Sequence, residues 1–145
     1  MVNTNLRSGF VLSQAIANHM IAENIRGKML FLTSLHAHSP RNLPHYSAAK
    51  AGETMLVKEL ARALGPYDIR VNAIAPGAIP GGGFNADVSA LEKMIALGRT
   101  GTPEDVASMA VALLADRFSA YVTGTTVVVD GGLALYNWIP ARGDS

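Results

Sequence analysis

IRVNAIA, residues 69–75, is a run of mostly branched or small apolar side chains set between two breaks, Gly65-Pro66 before it and Pro76-Gly77 after it. It is too short for a helix and too evenly apolar for a strand with one wet face, so it predicts a strand buried on both sides of a sheet. Upstream, Pro44 opens a helix that runs to about Leu64, with proline at its first turn and glycine just past its end. MLFLT, residues 29–33, has the same character as 69–75 and predicts a second doubly buried strand. Ahead of it, Leu6, Phe10, Ile16, Met20 and Ile21 recur at helical spacing from Asn5 to about Asn24, and Gly27 closes that helix. Downstream, a glycine-rich loop leads to a short helix near Ser89, where Ser89 and Glu92 have capping-box spacing. Thr102-Pro103-Glu104-Asp105 then starts a helix to about Ala115, with acids at the positive end of its dipole. TVVVD, residues 126–130, is a third strand, ended by Gly131-Gly132. Helices alternate with strands, and each connection is long enough for a right-handed crossover. The prediction is one α/β domain over residues 1–145 with a parallel sheet covered by helices.

Composition bounds what such a domain can do. Of 145 residues, 49% are hydrophobic and 16% charged, which is the profile of a chain with a real core and not of a disordered one. The net charge is +1 and the basic residues are scattered singly, so no nucleic-acid surface is expected. With no cysteine, disulfides and thiolate metal sites are excluded. The start MVNTNLRSGF has no basic run leading into an apolar one, and no stretch approaches the roughly 18 apolar residues of a membrane span. A cytoplasmic location with no membrane partner is the default expectation.

HYSAAKAGE, residues 45–53, raises the chemical question. Tyr46 and Lys50 are four apart at the start of a helix and share one face. A free tyrosine titrates near pH 10, so a phenolate near neutrality needs about 4 kcal/mol of stabilisation. One ammonium about 4 Å away in a partly buried site supplies about 4 kcal/mol, enough to make the phenol a base. Taken alone, such a pair more often covers a helix surface, with the lysine stem lying on the ring. Its surroundings favour chemistry: Ser34 ends the strand MLFLTS, at the sheet edge where ligand sites form, Asn5 starts the first helix, and NAIAPGAI, residues 72–79, ends the next strand in a Pro-Gly turn able to approach a flat ligand.

In order, NLRSGFVLSQA, MLFLTS, YSAAK, IRVNAIAPGAI, LGRTGTPEDVA and YVTGTTVVVDGG cover nearly the whole chain, and together they resemble the short-chain dehydrogenase/reductase family. The resemblance implies an oxidoreductase interconverting an alcohol and a ketone with NAD or NADP. By it, Tyr46 takes or gives the proton as hydride moves, and Lys50 lowers the phenol's pKa and holds the nicotinamide ribose. Ser34 binds the reacting oxygen, Asn5 organises a water chain to Lys50, and Pro76, Gly77 and the backbone of Ile79 face the nicotinamide. Twelve residues separate Ser34 from Tyr46 where many members have thirteen, which would give the role to Thr33; the match of TSLHAH to the strand-end serine favours Ser34. Gly81 stands where a cofactor-contacting threonine is frequent.

The family's opening strand, glycine-rich turn and helix have no counterpart in the 45 residues ahead of Tyr46. The expected fold is therefore a partial Rossmann-like doubly wound parallel sheet with three strands retained and the amino-terminal cofactor half missing, whether as fragment, mis-assigned start or natural truncation. MLFLT would then be an open edge. The other reading is a non-catalytic remnant that only folds and oligomerises. By the resemblance, the helices at about 4–24 and 44–64 pack against their copies in a homo-dimer or homo-tetramer. GGGFNA, residues 81–86, is read as a substrate-side loop, since no strand leads directly into it. His36, His38 and His45 lack a placed third ligand and are assigned to the substrate pocket wall, so no metal is expected. No GxSxG elbow supports acyl transfer. Phe84, Tyr136 and Trp138 are candidates for an apolar substrate wall.

Overall fold

Residues Arg70–Pro76 form β2, the centre of a three-stranded parallel sheet, with β1 (Lys28–Leu32) on one side and β3 (Thr126–Val129) on the other. The computed structural model describes residues 2–40, 42–81 and 87–135. Met29 pairs with Val71 and Phe31 with Ala73, while Ala73 pairs with Thr126 and Ala75 with Val128. The helices are α1 (Ser8–Ala22), α2 (Pro44–Leu64), α3 (Val88–Glu92), α4 (Pro103–Leu114) and α5 (Asp116–Ser119).

Because strand side chains alternate between faces, the two sides of the sheet have different cores. Val71 and Ala73 face α1 and α2, packing with Ala17, Val57, Ala61 and Leu64 in a cluster that also includes Met29 and Ile69. Arg70 and Lys28 face the other way, where Arg70 donates to the carbonyl of Leu113 at the end of α4 (2.9 Å) and Lys28 meets Asp116 of α5 (2.6 Å). Helices thus cover both faces, as the alternation of elements requires.

Several boundaries differ from expectation, each for a local reason. The first helix begins as a π-helical turn, Asn3–Arg7, and ends at Ala22, because Asn24 takes a left-handed conformation (φ 54°). Gly27 has a packing role instead: a Cβ there would lie 2.4 Å from the sulfur of Met20. Asp87, not Ser89, caps α3, its carboxylate accepting the N–H groups of Ser89 and Ala90. MLFLT is not buried on both faces. Met29 is buried, but Leu32 is 57% exposed, since β1 is an edge strand of the described sheet. It is β2 that is covered on both sides. The third strand stops at Val129, and Asp130 turns its carboxylate back to accept from Gly132 and Ala134 (2.8 and 2.7 Å). The short α5 and the 3-10 turns Leu35–Ala37 and Leu133–Leu135 carry too few residues to register as periodic patterns.

The start of α4 is as predicted, with a reciprocal capping box between Thr102 and Asp105. Arg99 donates twice to the same carboxylate, at 2.8 and 3.1 Å. Those bonds from Arg99, followed by the backbone N–H of Thr102, hold the Asp105 carboxyl down from 3.8 to about 2. A carboxyl depressed in the folded state adds stability that is complete above the unfolded value and is lost as pH falls through the folded one. The Thr102 amide, which donates to that carboxylate at 2.8 Å, should therefore keep its protection from hydrogen exchange down to about pH 4 and lose it towards pH 2. Asp105→Asn should abolish that step.

Candidate active site

Ser34, Tyr46 and Lys50 lie where the carboxyl end of β1 meets the start of α2. Pro44 at the first turn fixes the direction of α2, and Ala49, 1% exposed, turns one face of it inward. Lys50 then reaches back to the sheet and donates to the carbonyl of Leu32, the last residue of β1, at 2.9 Å. Its ammonium also lies 5.9 Å from the centroid of the Tyr46 ring, on the ring's face. The two side chains share one side of the helix, as their spacing predicted.

Ser34 is extended (φ −167°) and buried, and its hydroxyl accepts the N–H of His36 at 3.2 Å, capping the turn Leu35–Ala37. That cap directs the His36 ring edge-on to Tyr46, with centroids 5.1 Å apart and planes at 81°. Ser34 and Tyr46 are therefore joined through one residue. Thr33, the competing candidate, is otherwise engaged: its hydroxyl donates to the carbonyl of Ile74 at 3.1 Å, within the sheet. Of the histidines assigned to a pocket wall, His36 touches Tyr46, whereas His38 and His45 are exposed. Among the described residues, no three His, Asp or Glu side chains converge as a metal site would require.

Asn5 is half-buried in the π-helical turn, a local geometry that recurs at functional sites. The neighbouring Leu6 seats this turn on α2 at Gly52, where a Cβ would lie 2.8 Å from the leucine methyl. Pro76 ends β2 opposite Val129, and the N–H of Gly77 donates to the Val129 carbonyl at 2.9 Å. Gly77 is small for a reason the sequence reading did not give: a Cβ there would sit 2.7 Å from the Cα of Asp130. Ile79 packs its Cδ1 over Gly101. The described contacts of Pro76, Gly77 and Ile79 run to β3 and Gly101 rather than to Tyr46 or Lys50. A cluster of Leu35, Ala78, Ile95 and Leu133 lies beneath these loops and ties them into one floor.

Sequence reasoning missed one participant. Glu53, 5% exposed, places a carboxylate oxygen 2.8 Å from the Lys50 nitrogen. The expected lone positive charge beside the phenol is thus an ion pair, whose field falls off faster with distance than that of a bare ammonium. The spacing from Lys50 to Glu53 was visible in the sequence, but i,i+3 pairs are usually exposed and carry no such signal. Phe84, Tyr136, Trp138 and most of GGGFNA lie outside the described residues.

Comparison with known proteins places these features in context. The sequence family described as Enoyl-(Acyl carrier protein) reductase matches residues 1–134. A 3beta-hydroxysteroid dehydrogenase of Eggerthella lenta is 40% identical over 146 residues, spanning 94% of this chain and 54% of its own. A glucose 1-dehydrogenase of Bacillus subtilis is 38% identical, spanning 94% and 55%. A short chain dehydrogenase from Bacillus anthracis superposes with a TM-score of 0.88 at 37% identity, over 96% of this chain and 56% of that one. One from Leptospira borgpetersenii with bound NAD+ gives 0.85 at 32% identity, over 92% and 54%. The chain spans about half the length of the relatives it matches.

Proposed function

Because this chain belongs to the short-chain dehydrogenase/reductase family, we propose that it provides the catalytic half of an NAD(P)-dependent oxidoreductase interconverting an alcohol and a ketone. The observation that carries this reading is the Lys50 ammonium on the face of the Tyr46 ring, at the end of the sheet that also holds Ser34. Lys50 spends two N–H groups on Leu32 and Glu53. Its third N–H and the Tyr46 hydroxyl are donors of the kind that a ribose diol takes. On this proposal Tyr46 and Lys50 would hold the nicotinamide ribose, and Pro76, Gly77 and Ile79 would line the nicotinamide.

The bound cofactor would supply hydride chemistry. What remains for the protein is orientation and a proton. Ser34 holds the substrate oxygen, and Tyr46 delivers its phenolic proton to that oxygen in reduction or accepts it in oxidation. Lys50 steadies the phenol in either direction, and Asn5 organises water to Lys50. The named relatives act on a steroid and on a sugar, so the substrate class proposed is a secondary alcohol or its ketone with no finer shape. Self-association through α1 and α2 as a dimer or tetramer is part of the proposal. It is supported by Phe10, Val11 and Leu12 of α1, each about half exposed or more, although Ala17 on the same helix is buried. A helix apolar around its circumference calls for a second cover.

Titration with NADH and NADPH, followed by nicotinamide fluorescence, tests the reading on the chain itself. Saturable binding is expected. Absence of binding at millimolar cofactor would favour the non-catalytic reading, in which the chain folds and associates but turns nothing over.

A further inference from the structure

We propose that Glu53 is a positioning residue for Lys50, fixing where its ammonium sits and which N–H it presents towards Tyr46. The proposal rests on the oxidoreductase reading only for what Lys50 is presented to; the contact stands without it. Most lysine–glutamate pairs three apart on a helix lie in water and hold each other loosely. This one does not, since the side chains of Lys50 and Glu53 are 13% and 7% exposed. A carboxylate taken out of water is costly unless paired, so this position demands a cation, and Lys50 provides it at 2.8 Å. The Leu32 carbonyl, 2.9 Å away, accepts a second N–H. An ammonium is tetrahedral, so two fixed bonds determine the direction of the third. Lysine has a flexible four-carbon stem and no geometry of its own. Glu53 and Leu32 together give it one.

Other titratable or charged side chains sit on this helix and the elements packed against it. His36 approaches from the turn after β1 but packs against Tyr46. Arg7, in the π-helical turn seated on α2, is exposed, as is His45 on α2 itself. Lys50 therefore serves as an aimed hydrogen-bond donor, with its charge partly neutralised from behind.

Competitive acetylation of the whole chain at pH 8 with N-hydroxysuccinimidyl acetate, read per lysine by peptide mass spectrometry, tests this without cofactor or turnover. Lys58 and Lys93, both exposed, serve as references. Lys50 should label about tenfold or more slowly than these, as expected of an amine held by hydrogen bonds to a charged group. Glu53→Gln should raise its labelling about tenfold, and Glu53→Asp should restore much of the protection. Labelling of wild-type Lys50 as fast as Lys58 would overturn the proposal, and that result needs no variant to fold. So would a Glu53→Gln chain with unchanged circular dichroism and unchanged Lys50 labelling. Failure of the oxidoreductase reading would appear separately, as absent NADH binding.

Discussion

On the proposed role, Tyr46→Phe should lower carbonyl reduction by about 10²–10⁴-fold, the usual worth of a positioned general acid. The substitution removes one oxygen and keeps the ring. The edge-to-face contact with His36 and the approach of Lys50 to the ring face should both survive, so circular dichroism and melting temperature should be unchanged. The loss should fall on kcat, with NADH affinity reduced far less, because a proton donor that acts in the transition state contributes little to ground-state binding. A suitable vehicle is a chimera joining the amino-terminal part of the Bacillus anthracis enzyme to this chain, given a TM-score of 0.88 over 96% of it. Retention of full activity by the Phe variant would remove Tyr46 from the mechanism and leave the surface-packing reading of the pair.

Arg70→Met should destabilise the fold by about 1–3 kcal/mol, the range for disrupting a buried hydrogen-bonded site. Arg70 is 7% exposed and ties three segments together. Its guanidinium donates to the carbonyls of Leu113 (2.9 Å) and Val122 (3.1 Å) and meets Asp116 at 3.2 Å. The two carbonyls decide the outcome. Asp116 is 60% exposed on its side chain and can return to water, whereas the Leu113 and Val122 carbonyls lose the guanidinium and keep one donor each, the Ser119 hydroxyl and the Asn72 side-chain amide, both at 2.9 Å. With native stability on the order of 5–15 kcal/mol, a loss of this size removes a large fraction of it. The melting temperature should fall by roughly 4–10 °C. Arg70→Lys should recover only part, because one ammonium replaces Nη1 at the two carbonyls but not also Nη2 at Asp116. A fall of less than about 1 kcal/mol would mean that water replaces the guanidinium at Leu113 and Val122.

The sequence by itself determined the elements with strong punctuation. Pro44 and Gly65 bounded α2 as read, Thr102 to Asp105 started α4, and 69–75 marked the strand at the sheet's centre. It also determined that Tyr46 and Lys50 share a helix face, since helical periodicity alone enforces that. These are local properties, written in the dihedral preferences and spacing of neighbours. Tertiary structure decided the rest. That Thr33 bonds into the sheet while Ser34 remains at its end depends on register with Ile74, forty-one residues away. That Gly77 must lack a side chain depends on the approach of Asp130. That Glu53 is a buried partner and not a solvated one depends on what packs against α2, namely β2, the π-helical turn and the turn Leu35–Ala37. Burial is set by what arrives from distant parts of the chain, and the energetic weight of a charge depends on its burial far more than on its place in the sequence.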